Sequence, residues 1–380
     1  MDKTNSRQRF STRLAFLAAG MAMAAWAPLV PYAKTRMGLG QAELGLLLLC
    51  LGIGSLLAMP VTGALASRFG CRPLILLSGA LVCLILPFLA IAPSPLLLAT
   101  TLFLFGAAIG TLDVTMNIQA VAVEKNNGGA LMSGFHGLFS VGGFAGAGGM
   151  ALLLWSGMSP LSASLVIAVL VGAVLCIANP HLLRAPKVSG GDKRLFAMPR
   201  GAVIAIGLLC FAVFMAEGAI IDWSALLLTS GGGFTADQGG LGYAAFAIAM
   251  TLGRFTGDSV VRRWGGKRVL LLGGLCAGAG FFTTVLAPSP AIALLGFVLI
   301  GSGASNIVPI LFTAAGRQRD MPASLAVGAI TTIGYTGILA GPALIGFVAQ
   351  VSSLHIAFAG LGCFMFLVAA SARIGDRPIT

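Results

Sequence analysis

A chain of 380 residues that is 58% hydrophobic and only 9% charged lacks the surface of an ordinary soluble domain, in which roughly a quarter of residues are charged. Apolar runs of about 20 residues recur along it, each long enough for a hydrocarbon core roughly 30 Å thick. The formal charge of +12 sits in short segments between those runs, so it orients a membrane protein and need not bind nucleic acid.

The predicted fold is all-α, with twelve transmembrane helices centred near residues 23, 54, 82, 109, 143, 170, 215, 249, 277, 302, 335 and 363. With the N-terminus in the cytoplasm, the cytoplasmic segments hold nearly all of the 23 Lys and Arg; only Lys34, Arg36 and the mid-helix Arg254 lie elsewhere. This bias predicts that both termini are cytoplasmic. The first apolar run, Leu14 to Tyr32, is longer than the core of a cleaved signal peptide and reads as a helix. The seven cysteines show no CxxC spacing and read as small buried hydrophobes.

The second helix ends in "GALASRFGCR" (Gly63–Arg72), with Arg68 and Gly70 inside it. The fourth carries Asp113, Asn117 and Gln119, and the fifth carries His136 followed by "GGFAGAGG", small residues that let helices approach closely. A Pro-, Gly- and Lys/Arg-containing stretch at 179–200 reads as a cytoplasmic linker between halves at 1–178 and 201–380. The seventh helix holds Glu217 and Asp222, and the eighth holds Arg254 and Asp258 ahead of "SVVRRWGGKR" (Ser259–Arg268). Asn306 and Pro309 occupy the tenth helix; a proline there leaves a carbonyl without its helical donor, as in the broken helices that line transporter sites.

The halves repeat. Aligning Gly70 with Gly265 sets an offset of 195, and that offset carries Gly106 onto Gly301, Gly142 onto Gly337 and Gly146 onto Gly341. Parallel repeats of six helices are expected to bind solute near the membrane midplane, between the halves.

On these residues the chain resembles the major facilitator superfamily. The Gly63–Arg72 segment is similar to that family's G-x-x-x-D-R-x-G-R-R loop, with Ser67 in place of the aspartate and Cys71 in place of an arginine. Asp113 and Asn117 resemble the fourth-helix carboxylate and asparagine of the fucose-permease group, and "MNIQAVAVEK", "LMSGFHGLFSVGG" and "EGAIIDWSALLL" resemble the YbjJ-like bacterial inner-membrane proteins. The resemblance implies a multi-pass transporter of the cytoplasmic membrane, with Gly63, Arg68, Gly70, Arg72 and Gly265 in gating loops. Because the first loop lacks its aspartate, Arg254 and Asp258, one turn apart, are the better candidates for a latch. "GILAGPALIG" (Gly337–Gly346) looks like the antiporter Gly-Pro motif, but it falls in the eleventh helix and does not argue for export.

Physical reading of the intramembrane charges agrees. Asp113 lies roughly 16 Å from the cytoplasmic end at Glu124, and a charge at that depth must face protein or water. Asp113, Asn117, Ala120 and Glu124 share one helical face. A carboxylate drawn out of water is suited to take up and release protons, as imidazole is near neutral pH, which makes His136 a second candidate. Glu217 and Asp222 point about 140° apart, so they are no catalytic pair; Glu217 is the expected cavity member. Trp26, Trp223 and Tyr335 could offer stacking surfaces, and Asn117, Gln119 and Asn306 hydrogen bonds, to a polar solute. The expectation is a proton-coupled secondary transporter of a small organic solute, monomeric, without cofactor or metal. Export of amphipathic compounds and a non-transporting sensor are the rival readings. No HExxH, GxSxG or Walker A pattern suggests an enzyme.

Overall fold

Short polar segments break the apolar runs, and their serines and prolines start the helices. In the computed structural model, which describes residues 3–184, 198–230, 234–235 and 238–376, Ser94 accepts the Leu97 N–H at 3.3 Å ahead of Pro95. Ser159 does the same for Ser162 at 3.1 Å ahead of Pro160. Each hydroxyl satisfies one of the donors that a helix start leaves open, and proline fits the first turn because it has no N–H to lose.

The helices run α1 (Lys3–Ala24), α2 (Val30–Met37), α3 (Gln41–Phe69), α4 (Cys71–Ile91), α5 (Pro95–Asn127), α6 (Met132–Trp155) and α7 (Pro160–Ala178). They continue as α8 (Ala202–Ser230), α9 (Leu241–Val285), α10 (Pro290–Ala304), α11 (Ile307–Arg317), α12 (Ala323–Val351) and α13 (Leu354–Ala370). The described residues contain no strand. Ten candidate spans among them are long and apolar enough to cross a membrane, and α13 is a shorter apolar helix. Large apolar side chains such as Leu57, Leu84, Leu152, Val169 and Leu208 are exposed, a surface that suits hydrocarbon. All seven cysteines are free. The linker cations Lys187, Lys193 and Arg194, and Arg377 near the end, lie outside the described residues.

The chain divides into two compact units. The first gathers Met1–Gly128, Phe135–Met198 and Pro322–Ala329; the second gathers Gly129–Gly134, Pro199–Met321 and Ile330–Thr380. In the first, α5 packs along α3, α4 and α1, and α7 along α4 and α1. In the second, α9 packs along α10 and α13, with α8 against α11 and α13.

The glycines that carry the sequence repeat do the same work in each unit. A Cβ at Gly106 would sit 2.7 Å from the Leu51 carbonyl carbon, and one at Gly301 would sit 3.1 Å from that of Phe246. Leu51 and Phe246 are themselves related by the repeat offset. Gly142 lies likewise against Leu17, and Gly337 against Phe211, at 3.0 and 3.1 Å from the carbonyl carbon. Backbone meets backbone at all four places, which only glycine permits. Gly70 (φ 82, ψ 170) and Gly265 (φ 78, ψ 153) adopt the same left-handed extended conformation, which is essentially glycine-only. Gly70 separates α3 from α4, and Gly265 puts a non-helical joint inside the 45 residues of α9.

Candidate functional site

Two polar groups lie deep within the helices, one in each unit. In the first, Asp113 stands about 27 Å along α5 from Pro95 and about 21 Å from Asn127. Asn117, one turn later, donates from Nδ2 to the Asp113 carbonyl at 2.9 Å and to its carboxylate Oδ1 at 3.4 Å. The Asn117 side chain is buried and its own Oδ1 has no hydrogen-bond partner within the protein. Asp113 keeps partial exposure, while Asn117, Ala120 and Glu124 below it on the same face are buried. Thr111 and Thr62 approach through their hydroxyls at 3.4 Å and add polarity between α5 and α3.

His136, the fifth residue of α6, is buried with its ring edge-on to Phe16 of α1 at 5.3 Å. Gln119 serves a different purpose from its neighbours. Its Nε2 donates to Thr12 Oγ1 at 3.3 Å and its Oε1 accepts the Leu183 N–H at 3.1 Å. Both ends of the amide therefore tie α5 to α1 and to the segment after α7. Trp26 is buried, and its indole N–H has no partner.

In the second unit, Glu217 of α8 and Arg254 of α9 come together, with Oε1 and the guanidinium 3.9 Å apart. That is an ion pair without hydrogen-bond contact. Asp258, the other latch candidate, follows Arg254 by one turn of α9. In the structure Asp258 accepts the Gly134 N–H, in the first turn of α6, at 3.2 Å, and Arg262 donates to the Ala130 carbonyl at 3.0 Å. Asp258 thus lies at a helix N-terminus, where a carboxylate is favoured by the helix dipole. Asp222 is exposed on α8 while Glu217 turns inward, in keeping with their angular separation.

The tenth apolar segment is broken where the sequence suggested. α10 ends at Ala304 and α11 begins at Ile307, with Asn306 between them at φ −109, ψ −2. Asn306 donates to the Gly253 carbonyl at 3.2 Å and to Ser305 Oγ at 2.9 Å. Its buried Oδ1 has no hydrogen-bond partner and rests where a side chain on Gly257 would be. Gly257 and Asn306 stand at the repeat positions of Thr62 and Thr111, so the same two helical faces meet in each unit. Tyr335 sets its ring edge-on to Phe214 at 5.9 Å, and the buried Trp223 Nε1 has no partner.

The loop residues are held locally. Gly63 faces Ser324, whose carbonyl oxygen would be 2.8 Å from a Cβ. Arg68 lies over the Phe69 ring at 5.2 Å, and Arg72 donates from Nε to Asn179 Oδ1 at 2.7 Å and from its backbone N–H to the Leu183 carbonyl at 3.2 Å. Sequence reading missed Ser305 and Gly253 as partners of Asn306, and Glu217 as one partner of Arg254. The signal available was a lone cation at mid-helix and a carboxylate at matching depth in the preceding helix. Among the described residues no cluster of three or more His, Cys, Asp or Glu is placed to hold a metal ion.

Comparison with known proteins places this architecture. The sequence profile of the Major Facilitator Superfamily matches residues 14–319. An uncharacterized MFS-type transporter of Yersinia pestis is 58% identical over 372 residues, covering 97% of this chain and 96% of that protein. Membrane protein MosC of Rhizobium meliloti is 33% identical over 364 residues, covering 95% and 88%. In fold, the chain is similar to the fucose:proton symporter FucP of E. coli (TM-score 0.76, 17% identity, 98% of each chain covered). It is likewise similar to the human organic anion transporter MFSD10 (TM-score 0.78, 15% identity, 98% and 100% covered). The chain belongs to the Major Facilitator Superfamily and is a multi-pass transporter of the cytoplasmic membrane, not an enzyme.

Proposed function

We propose that the protein moves a small polar organic solute across the membrane by alternating access, coupled to protons through Asp113. The observation that carries this reading is a carboxylate at the middle of a 33-residue apolar helix, bonded by its own Asn117 and still partly exposed. A charge so deep is costly, and such residues face the protein interior or water and mark solute or proton paths. The fucose:proton symporter and the proton:xylose symporter XylE among the fold neighbours are described as proton-coupled, which supports the coupling by analogy. Their low identity carries no solute to this chain.

The same reading takes the chain as twelve spans with cytoplasmic termini. Its support is the Gly265 joint, which divides α9 into two lengths, and α13, whose 17 apolar residues form a short span. Six helices would then lie in 1–178 and six in 201–380, acting as a lipid-embedded monomer. Arg254 and Asp258 of α9 are the proposed latch, with Gly63, Gly70 and Gly265 as close-packed or turning points of the loops.

A thermal-shift screen of sugars, organic acids, nucleosides and lipophilic cations on purified protein tests the reading. A ligand at 100 times its Kd stabilises by about 2.7 kcal/mol. One class is expected to stabilise the wild type, with the shift lost or its pH dependence abolished in Asp113→Asn. A shift that is identical in both proteins at every pH would remove Asp113 from solute and proton alike.

A further inference from the structure

We propose that the Gly265 joint of α9 is a binding site for an anionic phospholipid, its phosphate headgroup held by Arg263, Lys267 and Arg268 and its acyl chains lying along Trp264. The site concerns the membrane around the transporter and goes beyond the solute reading above.

Each unit has such a joint, and the repeat offset aligns Arg68, Phe69 and Gly70 of the first with Arg263, Trp264 and Gly265 of the second. In both, an exposed aromatic ring precedes the glycine, Phe69 at 50% and Trp264 at 48% exposure. Tryptophan at the end of an apolar helix sits at headgroup level. Trp264 therefore sets the second joint at the membrane surface, with one edge of its ring toward the acyl chains.

The cations at the two joints are employed differently. In the first unit Arg68 lies over the Phe69 ring and Arg72 is tied to Asn179 and Leu183, while Cys71 and Pro73 bring no charge. In the second, Arg262 donates to the Ala130 carbonyl and to Ser259 Oγ. Arg263, Lys267 and Arg268 are exposed and, among the described residues, make no hydrogen bond or ion pair. Arg268 stands at the repeat position of Pro73, so that cation belongs to the second joint alone.

The turn gathers these cations. Gly265 (φ 78, ψ 153) breaks the helix, so Arg263 ends one length of α9 while Lys267 and Arg268 open the next. The N-terminus that opens there favours negative charge. One side of the joint is closed by backbone, since a Cβ on Gly266 would stand 2.6 Å from the Gly375 carbonyl oxygen. That contact brings the exposed Arg373, two residues earlier, to the same corner. The acid of the corner is Asp376, at the end of the short 3-10 helix that bears Arg373; the basic residues outnumber it and leave the surface positive. Guanidinium groups match phosphate oxygens in pairs of hydrogen bonds, and basic clusters at the ends of membrane helices draw anionic headgroups. A zwitterionic headgroup brings its own cation and has less claim on the site.

The test is native mass spectrometry of the purified full-length protein in detergent, titrated with phosphatidylglycerol, phosphatidylcholine or soluble glycerol 3-phosphate. The wild type is expected to retain phosphatidylglycerol about tenfold or more better than phosphatidylcholine, and to retain no glycerol 3-phosphate, which has no chains to bury. A cation near a membrane surface contributes about fivefold to lipid affinity, so Arg263→Gln/Lys267→Gln/Arg268→Gln should weaken phosphatidylglycerol by about a hundredfold. If that variant does not fold, each single substitution should weaken it by about fivefold. Trp264→Ala should weaken both lipids. The control Arg7→Gln/Arg13→Gln/Lys125→Gln removes the same charge from exposed positions of the first unit and should leave retention unchanged. Equal losses in the two triple variants, or equal retention of the two lipids, would overturn the site and leave the basic residues a purely orienting role. Retention of glycerol 3-phosphate as strong as that of the lipid, or no retention of phosphatidylglycerol by the wild type, would overturn it as well.

Discussion

Replacing Gly106 by Ala tests the packing of the first unit directly. The new Cβ would lie 2.7 Å from the carbonyl carbon of Leu51 and 2.9 Å from its Cα, backbone atoms that cannot rotate away. Contacts below 3.4 Å are already tighter than nine in ten real ones, and the Leu51 carbonyl oxygen would be nearer than either carbon, so α5 must retreat from α3 by roughly 1 Å or more, and overpacking of this kind costs about 1–3 kcal/mol. The Ser55 Oγ bond to the Gly106 carbonyl, 2.7 Å long, lies at the same contact and is strained with it. Ala gains up to about 1 kcal/mol over Gly in a helix, which leaves a net loss of up to about 2 kcal/mol against wild type and of about 1–3 kcal/mol against an alanine placed in open space. Gly301→Ala, whose Cβ would stand 3.1 Å from the Phe246 carbonyl carbon and from the Met250 nitrogen, should lose less. Gly148→Ala is the control, because a Cβ there meets nothing within 4 Å. Reversible unfolding in mixed micelles gives the three stabilities. A Gly106→Ala protein as stable as Gly148→Ala would refute the reasoning.

Other local devices make comparable predictions. Arg36 donates to the carbonyls of Leu89 (3.2 Å), Ala90 and Ala92 (3.0 Å) at the end of α4; Arg36→Gln should cost about 1 kcal/mol and speed hydrogen exchange in the last turn of that helix. Asp320 accepts the Ala202 N–H at 2.6 Å at the start of α8, so Asp320→Ala should cost about 1 kcal/mol and loosen the first turn, read by exchange at the first amides of α8. Gln119→Leu leaves the Leu183 N–H without its side-chain acceptor and should destabilise by about 1–3 kcal/mol in the same unfolding assay; a neutral effect would mean that the tie is not a structural one.

The repeat was readable because its glycines are compelled by backbone contact: a residue that must lack a side chain leaves a mark in both halves. Gly70 and Gly265 are marked for the same reason, through a conformation other residues avoid. The break at Asn306 was announced by Pro309, which cannot donate to a carbonyl one turn back. The contact of Arg254 with Glu217 was not readable, since helical spacing reveals neighbours on one helix and is silent about the helix across from it. Glu217, on the preceding helix, forms an ion pair with Arg254 at 3.9 Å. Gln119 shows the same limit. Its partners Thr12 and Leu183 are 107 and 64 positions distant, and no periodicity spans such separations. The depth of each intramembrane charge was legible from counting; what each charge touches needed the fold.

The central claim is that solute and proton move together by way of Asp113. The most direct measurement is proton flux into proteoliposomes loaded with a pH-sensitive dye, recorded as solutes from each class are added outside. The account predicts that the recognised solute carries protons across in the wild type and carries none in Asp113→Asn. Solute uptake with no accompanying proton movement, or proton movement undiminished in Asp113→Asn, would contradict it.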